Sequence, residues 1–358
     1  LIFGGILFAI VRFSEPIFVL FQVPDDVVAI AMLYLKAASW GLPAVVLYVT
    51  LRYACEGLGQ TVLPMLIAGS TLPVNAALNY ILIYGVFGLP ELGGEGCGWA
   101  TAITMWFELA VMLLVIRRPW LLDTGLLDRF DWPDFESIKS IFRVGVPIGV
   151  TLFLEMTVFA LISLLVGSIG VTAIGANTIA GNLNWFVFVI PMSLGSAASI
   201  RVGFYVGAKN YLAAAQVARL TIFVSGAYAF VAFAVLIIGR DFLPQIYSSD
   251  PEVIALTADL LLIVACYQLF DCTQATLIGI LRGYKDTKIP MFISWSGYWL
   301  LALPVGLTLG WGLLGPDFGV LGFWVGLGLG VAWIAAFALL RVIQTSQNVE
   351  RIERFAAV

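Results

Sequence analysis

Histidine does not occur in this chain, and charged side chains make up only 11% of it. The first absence removes the commonest metal ligand and the commonest general base. The second removes the surface that a water-soluble fold of 358 residues needs, since soluble chains carry about 25% charge. Cysteine is nearly as scarce. Cys55, Cys97, Cys266 and Cys272 stand alone without a CxxC pair, and they read as small reduced residues rather than disulfides or metal ligands. No basic cluster exceeds a short loop run and the net charge is −4, so nucleic acid is not an expected partner. Short apolar strands of period two are missing, which excludes a β-barrel. Neither an HExxH motif nor a nucleophile–base pair is apparent, so an enzyme is not expected.

Apolar residues are abundant instead, at 61%, with a mean hydropathy of +1.02. Lipid is the implied solvent. A bilayer-spanning helix needs roughly 20 mostly apolar residues. About ten such segments follow one another: 1–21, 28–51, 62–86, 97–116, 141–166, 171–199, 218–239, 253–281, 288–312 and 318–340. The connections alternate in charge. One set carries Arg52, then Arg117, Arg118, Arg129, Lys139 and Arg143, then Arg201, Lys209 and Arg219, then Arg282, Lys285 and Lys288, and finally Arg341, Arg351 and Arg354. The other set is acidic, with Arg240 its one cation. The basic side, with the C-terminus, is expected in the cytoplasm of a multi-pass inner-membrane protein.

An internal repeat organises the chain. Glu56–Ile67 (EGLGQTVLPMLI) aligns with Arg282–Ile293 (RGYKDTKIPMFI) at an offset of 226 residues. The same offset pairs Asp26–Ala29 with Glu252–Ala255, and Gly93 and Gly96 with Gly319 and Gly322. It covers an even number of spans, so the copies run parallel, as in one design of secondary transporters. The two spans in 141–199 then lack counterparts in the first half. A complete protein of about twelve helices is expected, with roughly 85 residues ahead of Leu1, which is not an initiator Met. Leu1 opens into an apolar stretch without a charged leader, so no cleavable signal peptide is seen. The resulting fold class is an all-α polytopic transmembrane bundle of two parallel-repeat lobes. Residues 1–117 form an incomplete N-lobe, 118–140 a cytoplasmic linker with an amphipathic stretch, 141–345 the C-lobe, and 346–358 a cytoplasmic tail.

Three acids sit mid-span: Glu108, Glu155 and Asp271. At the bilayer centre a carboxylate costs about 2.5–3.5 kcal/mol on insertion scales, so each is a functional candidate. Such a group holds either a proton or a metal cation, and exchange between them is what ion coupling requires. Tyr267 shares a helical face with Asp271. Asn177, Thr178, Asn182 and Asn184 cluster in the span after Glu155. Their oxygens suit a hard cation such as Na⁺, and equally suit interhelical hydrogen bonds. A buried acid can also simply pair with a polar neighbour, most plausibly for Glu108, whose repeat counterpart is Ile334. Pro43, Pro147, Pro191 and Pro304 lie inside spans and are expected to kink them.

Five patches carry a family resemblance: CEGLGQT-x-x-P (Cys55–Pro64), PELGGEGCGWATA (Pro90–Ala102), GVPIGVTLFLEMTVFA (Gly145–Ala160), PMSLGSAASIRVG (Pro191–Gly203) and ILRGYKDTKIP (Ile280–Pro290). The chain resembles NorM-type members of the multidrug and toxic compound extrusion (MATE) family, beginning at the third of twelve helices. The resemblance implies two six-helix lobes around a central cleft, and a monomer. A cation gradient, Na⁺ or H⁺, would drive export of amphipathic organic cations with no cofactor. It also implies that Glu155 and Asp271, with Tyr267 and Asn182 nearby, are the coupling site. Asn177, Thr178, Asn184 and Glu108 remain candidates for the substrate cavity. One departure is visible: the family's HQIA-like patch reads Asn177-Thr178-Ile179-Ala180 here. A lipid-intermediate flippase and a major-facilitator-type carrier are the alternatives.

Overall fold

A computed structural model describes residues 2–20, 25–88, 90–116, 134–313 and 315–356. No strand occurs among them. Contacts divide the chain into two compact units, Leu1–Trp132 and Pro133–Val358. The first contains α1 (Ile2–Arg12), α2 (Glu15–Leu20), α3 (Asp25–Ser39), α4 (Leu42–Gly57), α5 (Val62–Tyr84) and α6 (Gly93–Ile116). The second contains α7 (Phe135–Gly167), α8 (Val171–Gly207), α9 (Tyr211–Gly239), α10 (Pro251–Gly283) and α11 (Lys288–Trp295). A π-helical turn, Ser296–Ala302, joins α11 to α12 (Leu303–Gly310), and α13 (Gly319–Ser346) and α14 (Val349–Ala356) complete it.

Among the described residues, eight helices are long and apolar enough to cross a bilayer, counting α11 through α12 as one, and they coincide with eight of the ten expected spans. The other two differ in detail. Expected span 28–51 is the pair α3–α4, bent by 49°. The break falls at Trp40–Gly41, just ahead of Pro43, which has no N–H to continue the ladder. Expected span 1–21 is two short helices, α1 and α2, rather than one. Pro16 stands in the first turn of α2, where a missing N–H is tolerated but the helix before it cannot continue. Pro147 and Pro191 lie inside continuous helices, whereas Pro304 follows the π turn. Residues 135–140, placed in the linker by sequence, are the first turns of α7, capped by Asp134 accepting from the Ser137 N–H at 2.9 Å. Arg117, Arg118, Arg129 and the linker through residue 133 lie outside the described residues.

The repeat is present as backbone geometry. Gly59 (φ 79°) and Lys285 (φ 59°) both take the left-handed conformation, as do Gly93 (φ 53°) and Gly319 (φ 54°). Each pair is separated by the same 226 residues as the sequence patches. The hydrogen bonds match in turn: Leu58 N–H to Ala54 O and Gln60 N–H to Cys55 O in one copy, Tyr284 N–H to Ile280 O and Asp286 N–H to Leu281 O in the other. A left-handed residue closing a helix is a common stop signal, and both copies use it to turn the chain into the next span.

In the second unit α8 and α10 cross at the centre, with α9 and α13 against them and α7 against α8 and α11. The crossing needs glycine. A β-carbon on Gly279 would overlap the Gly195 carbonyl, and one on Gly195 would stand 2.8 Å from the Ala275 carbonyl oxygen. Small residues bring membrane helices into backbone contact where lipid supplies no hydrophobic drive. We therefore expect Gly279→Val to lower the detergent melting temperature by several degrees, since overpacking costs about 1–3 kcal/mol. An unchanged melting curve would show that α8 and α10 separate without loss.

Candidate functional site

The buried face of α7 reads Pro147, Thr151, Glu155, Val158, Ile162 and Val166, a three-to-four residue spacing that turns one acid toward the interior of the unit. On α10 the same rule places Tyr267 and Asp271, one helical turn apart, on the inward face, 2% and 1% exposed. These helices, with α8 and α13, enclose a cavity of about 390 Å³. Glu155, Asp271, Tyr267, Asn182, Asn177, Thr178 and Asn184 all line it. Ligand sites of small molecules usually occupy about 300–1,000 Å³. The rest of the wall is apolar and aromatic: Phe159, Ile162, Trp185, Phe188, Trp324 and Leu327 among others.

The acids dominate the electrostatics. Among the lining residues they are the charged ones, and Arg282 of α10, outside the lining, acts on Glu155 electrostatically. Asp271 and Glu155 interact electrostatically across the cavity wall. Tyr267 stands against Asp271 and Tyr298, from the π turn, stands against Glu155. Among the described residues the Asp271 Oδ1 atom is buried without a hydrogen-bond partner. Two carboxyls with phenol and amide oxygens form an all-oxygen donor set, suited to a proton or a hard cation rather than a soft metal. Among the described residues no group of three or more His, Cys, Asp or Glu converges on one point, and all four cysteines are free.

Glu108 is placed differently. It belongs to α6 in the first unit and does not line this cavity. Its side chain bonds Thr71 on α5, with Tyr48 and Arg52 of α4 in electrostatic range. The sequence missed several neighbours of the site. Trp324 donates its indole N–H to Asn177 Oδ1 at 3.0 Å and meets Tyr267 edge-on at 5.9 Å. Gln268, fully buried, donates to Asn184 Oδ1 at 2.7 Å. Gln268 was open to notice as an amide inside an apolar span next to Tyr267. Trp324 and Tyr298 carried no signal, because aromatic residues are common throughout the chain.

Known proteins provide an independent comparison. The family model described as MatE matches residues 1–81 and 147–308. The probable multidrug resistance protein NorM of Idiomarina loihiensis is 38% identical over 334 residues, covering 92% of this chain and 72% of that protein. Multidrug resistance protein PmpM of Pseudomonas aeruginosa is 37% identical over 349 residues, covering 95% of this chain and 73% of its own length. In structure, the eukaryotic MATE transporter AtDTX14 aligns with a TM-score of 0.82 at 24% identity, covering 99% of this chain and 78% of the other. The Vibrio cholerae MATE transporter VcmN in its bent form aligns at 0.83 and 18% identity, covering 98% and 77%.

Proposed function

The chain belongs to the MATE family, and from that premise we propose that it is a multidrug efflux antiporter exporting amphipathic organic cations against an inward flow of Na⁺ or H⁺. The observation that carries this reading is the pair Glu155 and Asp271, drawn from separate helices and opening into one cavity. An ion bound at the carboxyls competes electrostatically with an organic cation in the same space. Occupation by one therefore lowers affinity for the other, and the coupling is reciprocal. If ion loading occurs from outside and cargo loading from inside, alternating access converts that competition into uphill export. The aromatic walls suit cationic ring systems. The acidic lining disfavours the lipid-intermediate flippase, whose pyrophosphate cargo calls for cationic groups. The basic loops, from Arg52 to Arg354, support an inner-membrane orientation with the C-terminus in the cytoplasm.

The test is ethidium release from de-energised cells producing the protein, after an external pulse of NaCl or of acid. Prompt release after one pulse identifies the coupling ion. Release after neither pulse, with protein present in the membrane, would sink the antiport reading.

A further inference from the structure

Two of the amides that α8 presents to the cavity, Asn177 and Asn184, have their orientation decided by their partners. An indole N–H donates and never accepts. Trp324 therefore stands against the oxygen of Asn177, at 3.0 Å, and the Asn177 NH₂ occupies the other branch of the amide. The second lock is tighter. One end of Gln268 faces both the backbone carbonyl of Asn184, at 3.3 Å, and its side chain, at 2.7 Å. A backbone carbonyl only accepts, so that end of Gln268 is its NH₂, and the atom of Asn184 it meets is the oxygen. The far end of Gln268 accepts from the Cys272 thiol at 3.3 Å, which agrees with the same assignment.

Both asparagines thus spend their oxygens on the protein interior. Neither NH₂ has a partner among the described residues, and neither is among the buried polar atoms sealed from access. Asn177 and Asn184 are seven residues apart, two turns on one face, about 10 Å along the helix. We propose that they form a hydrogen-bond-donating wall that selects, among organic cations, those also carrying an acceptor such as a carbonyl or an ester. Gln268 and Trp324 are the positioning residues that keep it donating. This rests on the efflux reading and specifies its cargo: the cationic end lies toward Glu155 and Asp271, and the acceptor end toward α8. The coupling ion, in turn, draws its ligands from the acids, Tyr267 and Asn182 rather than from the oxygens of Asn177 and Asn184.

Two amphipathic cations of similar size test it on the purified protein: tetraphenylphosphonium, which has no acceptor, and an ester-bearing rhodamine. Asn184→Asp replaces the donor with an acceptor while keeping the shape. Rhodamine affinity should fall about tenfold, one hydrogen bond turned to repulsion, with tetraphenylphosphonium unchanged or tighter. Gln268→Leu frees the Asn184 amide to turn and should shift the same ratio in the same direction by a smaller factor. A melting curve in detergent like the parent's shows that a variant is folded. If Asn184→Asp does not fold, Asn177→Asp is read in its place. Equal loss of both probes in a folded variant, or no loss of either, overturns the donor wall and leaves the efflux reading standing. Failure of the parent protein to bind either probe overturns both.

Discussion

Ion-driven efflux should fall to background when Asp271 is replaced by Asn. The substitution keeps the volume and planar shape of a side chain that is 1% exposed, so packing between α8 and α10 is preserved. What it removes is the ability to take up a proton or balance a cation. A carboxylate and a monovalent cation about 4 Å apart interact by about 4 kcal/mol at an effective dielectric near 20. That energy is available only in the ion-loaded state, and losing it is worth roughly three decades in ion affinity. Asp271 Oδ1 has no hydrogen-bond partner among the described residues to absorb the change, and Tyr267 stands beside the same carboxyl. The check is the initial rate of ethidium release after the effective ion pulse, in cells with equal amounts of parent and variant. Organic-cation binding to the purified variant, measured without a gradient, should persist. A variant that exports like the parent under the same gradient would place the coupling site elsewhere. Glu155→Gln is the companion change, from the other helix of the pair.

The largest effect on stability is expected inside the second copy of the repeat patch, at Asp286. This carboxylate, 2% exposed, receives the Arg341 Nε–H at 2.6 Å and the Thr345 hydroxyl at 3.2 Å. It ties the turn between α10 and α11 to the last turns of α13, and α14 docks nearby through fully buried Ile352. Removing one member of a buried pair costs about 3–5 kcal/mol, because the other charge is left desolvated. Arg341 keeps some access to solvent, so Asp286→Ala should cost about 3 kcal/mol, at the lower end. Thermal melting in detergent measures it. Adding Arg341→Met to Asp286→Ala should recover part of the loss, because no unpaired charge then remains. If the single variant melts like the parent, the pair holds nothing together.

Asp286 also marks where a linear reading stops. In sequence it is one charge in the polar turn RGYKDTK, indistinguishable from a solvated loop acid. Its burial depends on Arg341 and Thr345, 55 and 59 residues away. Asn177 and Trp324 are 147 residues apart, and Asn184 and Gln268 are 84 apart. No local pattern announces these pairings. The direction of each amide follows from these partners, which local sequence does not specify. Glu108 shows the same limit: as unusual in its span as Asp271, it is held by α4 and α5 of the first unit.

Membrane insertion, the order of the apolar helices and the parallel repeat were determined by the sequence itself. Each depends on quantities that accumulate along the chain: about 20 apolar residues per crossing, charge in alternate loops, and turn residues recurring at one offset. Glu155 and Asp271 were legible for a related reason, since a carboxylate within a long apolar run is costly wherever the run folds. The tertiary structure decided the rest. It determined that α7, α8, α10 and α13 close around one cavity, that the first apolar stretch breaks into two helices, and which atoms of each polar side chain remain free. Those outcomes depend on which helix faces meet and on donors finding acceptors across long separations, and a linear sequence does not specify either.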